Sequence, residues 1–159
     1  MDNDEKSETV TADFDRCSEK WSIQLVDSYH EAFPAEHAID GDPSTMWHTD
    51  WGPEKTGLPH KLEINLGETL LLKGFTYTPR TDNKLIGVIT KYDFYISLDG
   101  KVWEKVISNG EFSNIQNNPT KQEIRFKKAV KASYICLEAL DSVDEQDYTS
   151  VNEIGVITK

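Results

Sequence analysis

Hydrophobic residues alternate with polar ones over many short stretches of this chain, which is the pattern of half-buried β-strands. The first stretch is residues 21–25, where Trp21, Ile23 and Leu25 are separated by polar side chains. A second places Leu62, Ile64 and Leu66 on one face, and Gly67 ends it. Further short apolar stretches lie at residues 72–78, 92–98, 102–107, 124–126, 135–137 and 154–157. No ten-residue amphipathic helix is predicted anywhere in the chain.

About eight short strands separated by Gly, Pro, Asn and Asp predict an all-β antiparallel sandwich or barrel. Phe94, Ile96 and Leu98 are predicted to face inward before a hairpin turn at Asp99-Gly100. A single helical turn is predicted over residues 34–39, with Pro at its start and Gly just past its end. The sequence contains no internal repeat and indicates one domain.

Composition divides the chain into two parts. Residues 1–20 hold seven carboxylates against three basic groups, so we predict an acidic flexible tail or linker there. Residues 21–159 form the predicted β-sandwich domain. The net charge of −11 argues against nucleic acid as a partner, because phosphates require a Lys- and Arg-rich face. It argues equally against steady docking on anionic membranes, and no apolar run is long enough for membrane insertion. No signal peptide is expected, since Met1 is followed by acidic residues.

The two cysteines, Cys17 and Cys136, do not form a zinc motif, because zinc requires about four ligands at suitable spacing. Two alternatives remain for them. A disulfide would tie the N-terminal segment to a late strand, whereas two unpaired thiols would leave that segment independent. The second alternative is the one we predict.

The sequence AIDGDPSTMWHTDW at residues 38–51 is the densest functional candidate. Asp40, Asp42 and Thr45 supply carboxylate, hydroxyl and carbonyl oxygens within six residues, and Ca²⁺ prefers such a mixture. This stretch is not an EF-hand, which requires Gly at position 6 and Glu at position 12. Without an ion, Asp40 would only cap a turn. His48 and Trp51 follow in the same loop, and aromatic, polar loops commonly form binding sites.

Five segments occur in an order that resembles the coagulation factor 5/8 type C (discoidin-like) superfamily: AIDGDPSTMWHTDW, LPHKLEINLG, FTYTPR, YDFYISLDGKVWEKV and SVNEIGV. Within it the chain looks most like carbohydrate-binding module family 32 of bacterial glycosidases and sialidases. The resemblance covers residues 21–157. It implies an eight-stranded jelly-roll sandwich that binds galactose-type terminal sugars and holds a catalytic partner near its glycan. It also implies a structural calcium ion and an extracellular, periplasmic or cell-surface location on a bacterium.

The resemblance also assigns residues to the two sites. To the calcium site it adds backbone oxygens near His37 and Asn152 and the carboxylate of Glu153, which would join Asp40, Asp42 and Thr45. In the sugar site His48, Arg80 and Glu31 would bind hydroxyls, and Trp51 and Tyr148 would be aromatic walls. These assignments are implied by the family motifs and not by the spacing of the residues.

One departure affects the choice of sugar. The family has Asn-Gly about six residues after the arginine, whereas Ile86-Gly87 occupies that place here. Asn83 or Lys84 is then the candidate replacement for the missing asparagine. The alternative is a changed ligand or weak binding.

Several of these residues have simpler structural roles open to them. Arg80 can pair with Asp82 or Asp93 on the surface, and Trp51 can cover the sandwich end without touching a ligand. For two other tryptophans and three histidines the sequence predicts only a location in the fold. Trp47 and Trp103 are predicted in the core, His60 as structural, and His30 and His37 on the surface.

No catalytic motif supports an enzyme. The sequence has no GxSxG, HExxH or P-loop, and none of its carboxylates lies in a context that would raise its pKa for glycoside hydrolysis. We therefore predict a non-catalytic module, and the resemblance implies that it is one part of a larger glycoside hydrolase. A protein-docking or structural discoidin-like domain is the alternative function.

Overall fold

The structure, a computed structural model, describes residues 19–53, 55–143 and 146–159. This part of the chain contains eight strands and a short 3₁₀ helix, Ala35–Ile39, which lies between the first two strands. The strands are β1 Ser22–Val26, β2 Trp47–His48, β3 His60–Thr78, β4 Ile89–Ser97, β5 Glu104–Glu111, β6 Gln122–Ser142, β7 Ser150–Val151 and β8 Glu153–Ile157. Pro34 precedes the 3₁₀ helix as the sequence predicts, because its fixed φ suits a helix entry.

Two long strands, β3 and β6, build both layers of the sandwich. The first half of β3 pairs with β1 and with the second half of β6, which also pairs with β4. The second half of β3 pairs with β8 and with the first half of β6. The register shifts between Asn65 and Leu70 mark where β3 passes from one layer to the other. All these ladders are antiparallel, as predicted, but the two long strands prevent a one-to-one match with eight jelly-roll strands.

Aromatic packing between the layers forms the core. Phe75 from the second half of β3 stacks on Phe94 from β4, with ring centroids 4.1 Å apart. Tyr92 and Phe112 stack at 4.4 Å, and Tyr77 stacks on Phe112 at 4.7 Å. Because two of these rings come from the second half of β3, two from β4 and one from the segment after β5, the contacts fix the two layers against each other.

The predicted inward faces are confirmed in the middle of the strands and wrong at two strand ends. Leu62, Ile64 and Leu66 are fully buried. Leu25 is 43% exposed because β1 shifts register between Ile23 and Leu25, which turns the side chain outward. Leu98 is 62% exposed because β4 ends one residue earlier, at Ser97.

The two predicted tryptophans behave differently. Trp47 is buried, and its Nε1 donates to the carbonyl of Ser28 at 2.9 Å. Trp103 is only half-buried and lies edge-on to Tyr134, so its assignment to the core is wrong. It sits in the turn after β4, where the sandwich offers a single side for contact.

The remaining predictions concern the N-terminal segment, the two cysteines and membrane insertion. Residues 1–18, which include Cys17 and most of the predicted tail, lie outside the described residues, so the tail and the cysteine pairing stay predictions. Cys136 is buried in β6 with no disulfide partner among the described residues, and burial raises the pKa of its thiol well above the ordinary range. Within the described residues, no helix is long and apolar enough to cross a membrane.

A buried tyrosine hydroxyl joins three strands. Tyr77 in β3 is fully buried, donates to the carbonyl of Ser150 at 2.9 Å and accepts from the N–H of Ile89 at 3.0 Å. Burial raises the pKa of its phenol, so the group stays neutral. The hydroxyl therefore satisfies two backbone groups that have no water to replace it.

Replacing Tyr77→Phe removes only this oxygen and leaves a buried carbonyl and a buried N–H without their partner. We expect a loss of about 1–3 kcal/mol in the free energy of unfolding, measured by urea denaturation. Tyr29→Phe is the matched control, because Tyr29 is 51% exposed. Equal stabilities of the two variants would contradict the role of the buried hydroxyl.

Candidate functional site

One end of the sandwich carries a cluster of aromatic rings around His48. The imidazole of His48 is buried, and the ring of Trp51 stands perpendicular to it with centroids 4.9 Å apart. Tyr148 lies 5.9 Å from His48 on another loop. Trp51 is 44% exposed and stacks on His30, with centroids 4.0 Å apart and planes within 11°. One indole face is thereby backed by protein, and a large aromatic surface stays open to solvent.

Backbone hydrogen bonds hold this cluster in place. Strand β2 pairs with β7 through His48 and Ser150. The N–H of His48 donates to the carbonyl of Phe33, and the N–H of His30 donates to the carbonyl of His48. The loop that carries His30 and Phe33 is therefore bonded directly to the strand that carries His48. The rings are pre-positioned by the main chain and not only by their own contacts.

The tautomer of His48 follows from the hydrogen bond of its imidazole. Nδ1 lies 2.7 Å from the carbonyl of Thr49, and since a carbonyl only accepts, Nδ1 carries the proton. Burial lowers the pKa of His48, and the nearby charge of Arg80 lowers it further against the effect of the Thr49 carbonyl. The imidazole is thus neutral at physiological pH. Its Nε2, which has no hydrogen-bond partner among the described residues, is an acceptor.

Arg80 is a buried guanidinium held by its own loop. Nε and Nη2 donate to the two carboxylate oxygens of Asp82 at 2.8 and 2.7 Å, and Nη1 donates to the carbonyl of Ile86 at 2.8 Å. The bond from Arg80 also holds the pKa of Asp82 below its usual range. The pairing with Asp82 weighed from the sequence is confirmed, while Asp93 pairs with Lys105. A guanidinium has five N–H donors, so Arg80 keeps two for a ligand.

Two clefts lie side by side at this end. The first, about 380 Å³, is lined by the rings of Phe33 and Trp51 and by the charged groups of Arg80, Asp82 and Lys84. The second, about 540 Å³, lies across the 80–85 loop. Both volumes are in the range of about 300–1,000 Å³ that small-molecule sites occupy.

The six residues that the sequence predicts at the sugar site lie at different places around the two clefts. Trp51 and Arg80 line the first cleft, and His48 lies beside it between Trp51 and Tyr148. Asn83 lines the second cleft and not the first. Glu31 is exposed in a turn and lines neither cleft. The structure therefore brings four of the six together.

The sequence reasoning gave three residues of the cluster no role in the binding site. His30 is half-buried under Trp51, so its prediction as a surface residue is wrong, and Phe33 lies 5.8 Å from Trp51. Asp82 orients Arg80. The aromatic density at residues 29–33 in an otherwise polar loop was the available signal for the first two.

A cluster of oxygens lies beneath the first cleft, around the hydroxyl of Thr45. Thr45 Oγ1 is 2.6 Å from Oδ2 of Asp40, 3.1 Å from the carbonyl of Asp42 and 3.5 Å from the carbonyl of His37. A hydroxyl has one proton and can donate one hydrogen bond. Three acceptors thus converge on a single donor, which leaves this cluster short of positive charge.

The last strand adds a fourth acceptor. Glu153 is buried, and its Oε2 accepts from the N–H of Gly41 at 3.1 Å, while its Oε1 is buried without a partner. Burial raises the pKa of Glu153 to about 8, opposed by the Gly41 bond and helped by the charges of Asp40 and Asp42. The prediction that no carboxylate has a raised pKa is therefore wrong at this position, because the strand pattern did not show that Glu153 is buried. An unpartnered buried carboxylate oxygen is unfavourable unless a proton or a cation compensates it.

Asn152 and Asp42, which were also predicted at the metal site, use their side chains to hold the loop. The Asn152 side chain donates to the carbonyls of Pro43 and Thr45 at 2.9 and 2.8 Å, so it clamps the loop. The carboxylate of Asp42 accepts from Ser44, which lowers its pKa, and only the Asp42 carbonyl faces Thr45. Across the described ranges no three His, Cys, Asp or Glu side chains group as a metal site. Besides the carboxylates of Asp40 and Glu153, any ion here would need carbonyl and hydroxyl oxygens, and such a mixture suits Ca²⁺ and not zinc.

A second buried histidine ties the Tyr148 loop to the sheet. His60 is fully buried; its Nδ1 lies 3.0 Å from the carboxylate of Asp27 and its Nε2 lies 2.8 Å from the carbonyl of Asp147. Its predicted structural role is confirmed. Burial alone lowers its pKa, but the Asp27 bond and then the Asp147 carbonyl outweigh burial, so the pKa is raised. Both nitrogens face acceptors, so the imidazolium form fits best.

Comparisons with known proteins agree with this architecture. Residues 16–154 match the family model described as the F5/8 type C domain. A sialidase of Micromonospora viridifaciens is 35% identical over 141 residues, which is 86% of this chain and 21% of that enzyme. This chain therefore spans about a fifth of the length of that curated relative.

Two solved structures show the same fold with a sugar bound. The family 32 carbohydrate-binding module of C. perfringens NanJ, in complex with galactose, superposes with a TM-score of 0.75 at 28% identity, covering 88% of this chain and 95% of the module. The module CpGH89CBM32-5 of Clostridium perfringens, in complex with GalNAc-β-1,3-galactose, gives 0.77 at 30% identity, covering 89% and 97%.

The His60 clamp predicts a pH-dependent stability. Because the folded state raises this pKa, the contribution is complete below the unfolded pKa of about 6.5 and is lost as pH rises through the folded value. We expect the destabilisation caused by His60→Gln to be larger at about pH 5.5 than at about pH 8.5 in urea denaturation. An equal penalty at both pH values would show that His60 acts as a neutral group.

Proposed function

Because this chain belongs to the F5/8 type C domain family, we propose that it is a non-catalytic carbohydrate-binding module that recognises galactose-type terminal sugars. The observation that carries the proposal is the half-exposed indole of Trp51 beside a neutral buried His48 and a pre-oriented Arg80. The sugars bound by the two Clostridium perfringens modules support the same ligand class.

These groups match the chemistry of a pyranose. The C–H face of a sugar packs on an aromatic ring, which Trp51 offers with His30 behind it. Each hydroxyl both donates and accepts, so a site needs fixed groups of both kinds. Nε2 of His48 accepts, and the two remaining N–H groups of Arg80 donate. Because Asp82 and the Ile86 carbonyl already fix the guanidinium, little side-chain entropy is lost on binding.

We further propose that the oxygen cluster around Thr45 binds a structural Ca²⁺ ion. The Asp40 carboxylate, the Thr45 hydroxyl, the carbonyls of His37 and Asp42 and the orphaned Oε1 of Glu153 would hold it. The support is the excess of acceptors over protons, which a divalent cation removes. Bound there, the ion would neutralise Glu153 and join the 40–45 loop to the last strand.

The parent protein is also a proposal. The sialidase relative is about five times longer than its matching segment, so we propose that this module is one part of a larger extracellular or cell-surface bacterial glycosidase. Its partner would be that catalytic domain, which it would hold near a glycan. Single-site affinity for one sugar is expected to be weak, at about millimolar Kd, with avidity from multivalent glycans.

Sugar binding is tested by titrating galactose, N-acetylgalactosamine and lactose into the wild type and His48→Ala by calorimetry. We expect saturable binding in the wild type and a loss of at least about tenfold in the variant, since both an acceptor and the support of Trp51 are removed. Trp51→Ala should lose a comparable amount.

The control for both variants is Val102→Ala, an exposed apolar side chain in the turn after β4. It should bind like the wild type. Silence from every sugar in a folded wild type would reject the sugar site and favour the protein-docking function.

Calcium binding is tested by thermal melting with EDTA and then with about 1 mM calcium chloride. We expect the wild-type Tm to rise by about 5 °C or more, because a ligand at a hundred times its Kd stabilises by about 2.7 kcal/mol. Glu153→Gln should lose most of this rise, since it removes one of the two ligand carboxylates. Glu111→Gln, an exposed carboxylate in β5, should keep it. The same rise in Glu153→Gln and the wild type would place the ion elsewhere.

A further inference from the structure

The second cleft differs in charge from the rest of the molecule. The chain has 28 acidic against 17 basic residues, yet the described residues that line this cleft include Arg80, Lys84 and Lys121 and no carboxylate. Two amides, Asn83 and Gln116, also line it. A strongly acidic protein therefore presents here a concave surface of cations and neutral hydrogen-bonding groups.

The cationic side chains that line the second cleft differ in the net charge that they present to a ligand. Arg80 is neutralised by its two bonds to Asp82, so it adds little net charge. Lys84 donates its backbone N–H to Asp82, and its side chain is exposed with no carboxylate in ion-pair range among the described residues. The ammonium of Lys84 is thus available at the boundary of both clefts.

Hydrogen bonds and buried side chains hold the walls of the second cleft in place. On one side, Thr81 Oγ1 donates to the carbonyl of Pro43 at 3.0 Å and holds the 80–85 loop. On the other side, the loop with Gln116 is anchored by the buried side chains of Phe112 and Ile115. The N–H of Asn118 donates to the carbonyl of Asn114 at 2.9 Å within that loop. A ligand would meet a pre-formed surface.

The two clefts are neighbours across one narrow ridge. Arg80, Thr81 and Lys84 line both of them. A sugar seated against Trp51 that carries a second unit toward this ridge would place that unit next to Lys84 and Gln116. An anionic substituent there would meet cations without meeting a carboxylate.

We propose that the second cleft is a subsite for an anionic group, a carboxylate or a sulfate, on the sugar unit linked to the galactose-type sugar. The inference rests on the proposed function, because the first unit must occupy the site beside Trp51. It assigns Asn83 and Gln116 to the second unit, and it makes the preferred glycan an acidic one.

The test compares pairs of ligands that share a terminal galactose and differ in one charged group. Lactobionate carries a carboxylate where lactitol carries a hydroxymethyl group, and lactose sulfated on its glucose unit is compared with lactose. At about 20 mM NaCl we expect each anionic ligand to bind about three- to tenfold more tightly than its neutral partner, because exposed ion pairs are individually weak. At about 300 mM NaCl the ratio should fall toward one.

Gln116→Glu places a carboxylate in the second cleft alone, at an exposed position. It should remove the preference for the anionic ligands and leave the affinity for galactose unchanged, because a single sugar unit beside Trp51 does not reach Gln116. Lys101→Gln makes the same change in net charge in the turn after β4, where it lines neither cleft, and should keep the preference.

The results separate this inference from the proposed function. A ratio of one in both ligand pairs, or a preference that Gln116→Glu does not reduce, would overturn the subsite while lactose binding still stands. A preference in only one pair would identify the carboxylate or the sulfate as the anion. Silence from lactose and lactitol as well as from the anionic ligands would reject the sugar site and the subsite together.

Discussion

The candidate site depends on an imbalance between oxygens and protons in the 40–45 loop. Thr45 has one proton for three neighbouring acceptors, and Glu153 brings a buried carboxylate oxygen without any donor. Such a group is destabilising, since each buried unpaired oxygen is unfavourable by about 1–3 kcal/mol, and by more when it is charged. Either a proton on Glu153 or a cation at the centre restores the balance. A proton would serve one acceptor, whereas the proposed Ca²⁺ ion would serve several.

The same loop shapes the first cleft, so the imbalance has consequences for recognition. Ser44, Thr45 and Met46 line the cleft on one side of the oxygen cluster, and Asn152 fixes their backbone from the other. Thr81 bonds to Pro43, which couples the arginine loop to this one. Compensating the oxygens therefore stabilises the position of both loops. An ion far from the sugar would act on affinity through the backbone and not through contact.

The strand pattern predicts which residues face the core, because a period of two is a local property. It does not predict a bulge, which turned Leu25 outward, or the passage of β3 through both layers past Gly67, since both depend on pairing between distant segments. The site shows the same division. Family motifs placed His48 and Trp51 in one loop, but the stacking of His30 under Trp51 is a tertiary contact that no spacing encodes. The pairing of Arg80 with Asp82, two residues away, is local and could be weighed from the sequence.

A net charge of −11 does not by itself prevent recognition of an acidic sugar. At physiological salt the Debye length is about 8 Å, so charges farther than that from a ligand are largely screened and the nearest groups decide. Asp82 is the carboxylate that lines the first cleft, no described carboxylate lines the second, and the charge of Asp82 is paired with Arg80. What an incoming ligand meets on the ridge is then the ammonium of Lys84. The Arg80–Asp82 pair would thus have two effects in the proposed site. It fixes the guanidinium as a donor for a neutral sugar, and it offsets the negative charge of Asp82 that would otherwise repel an anion.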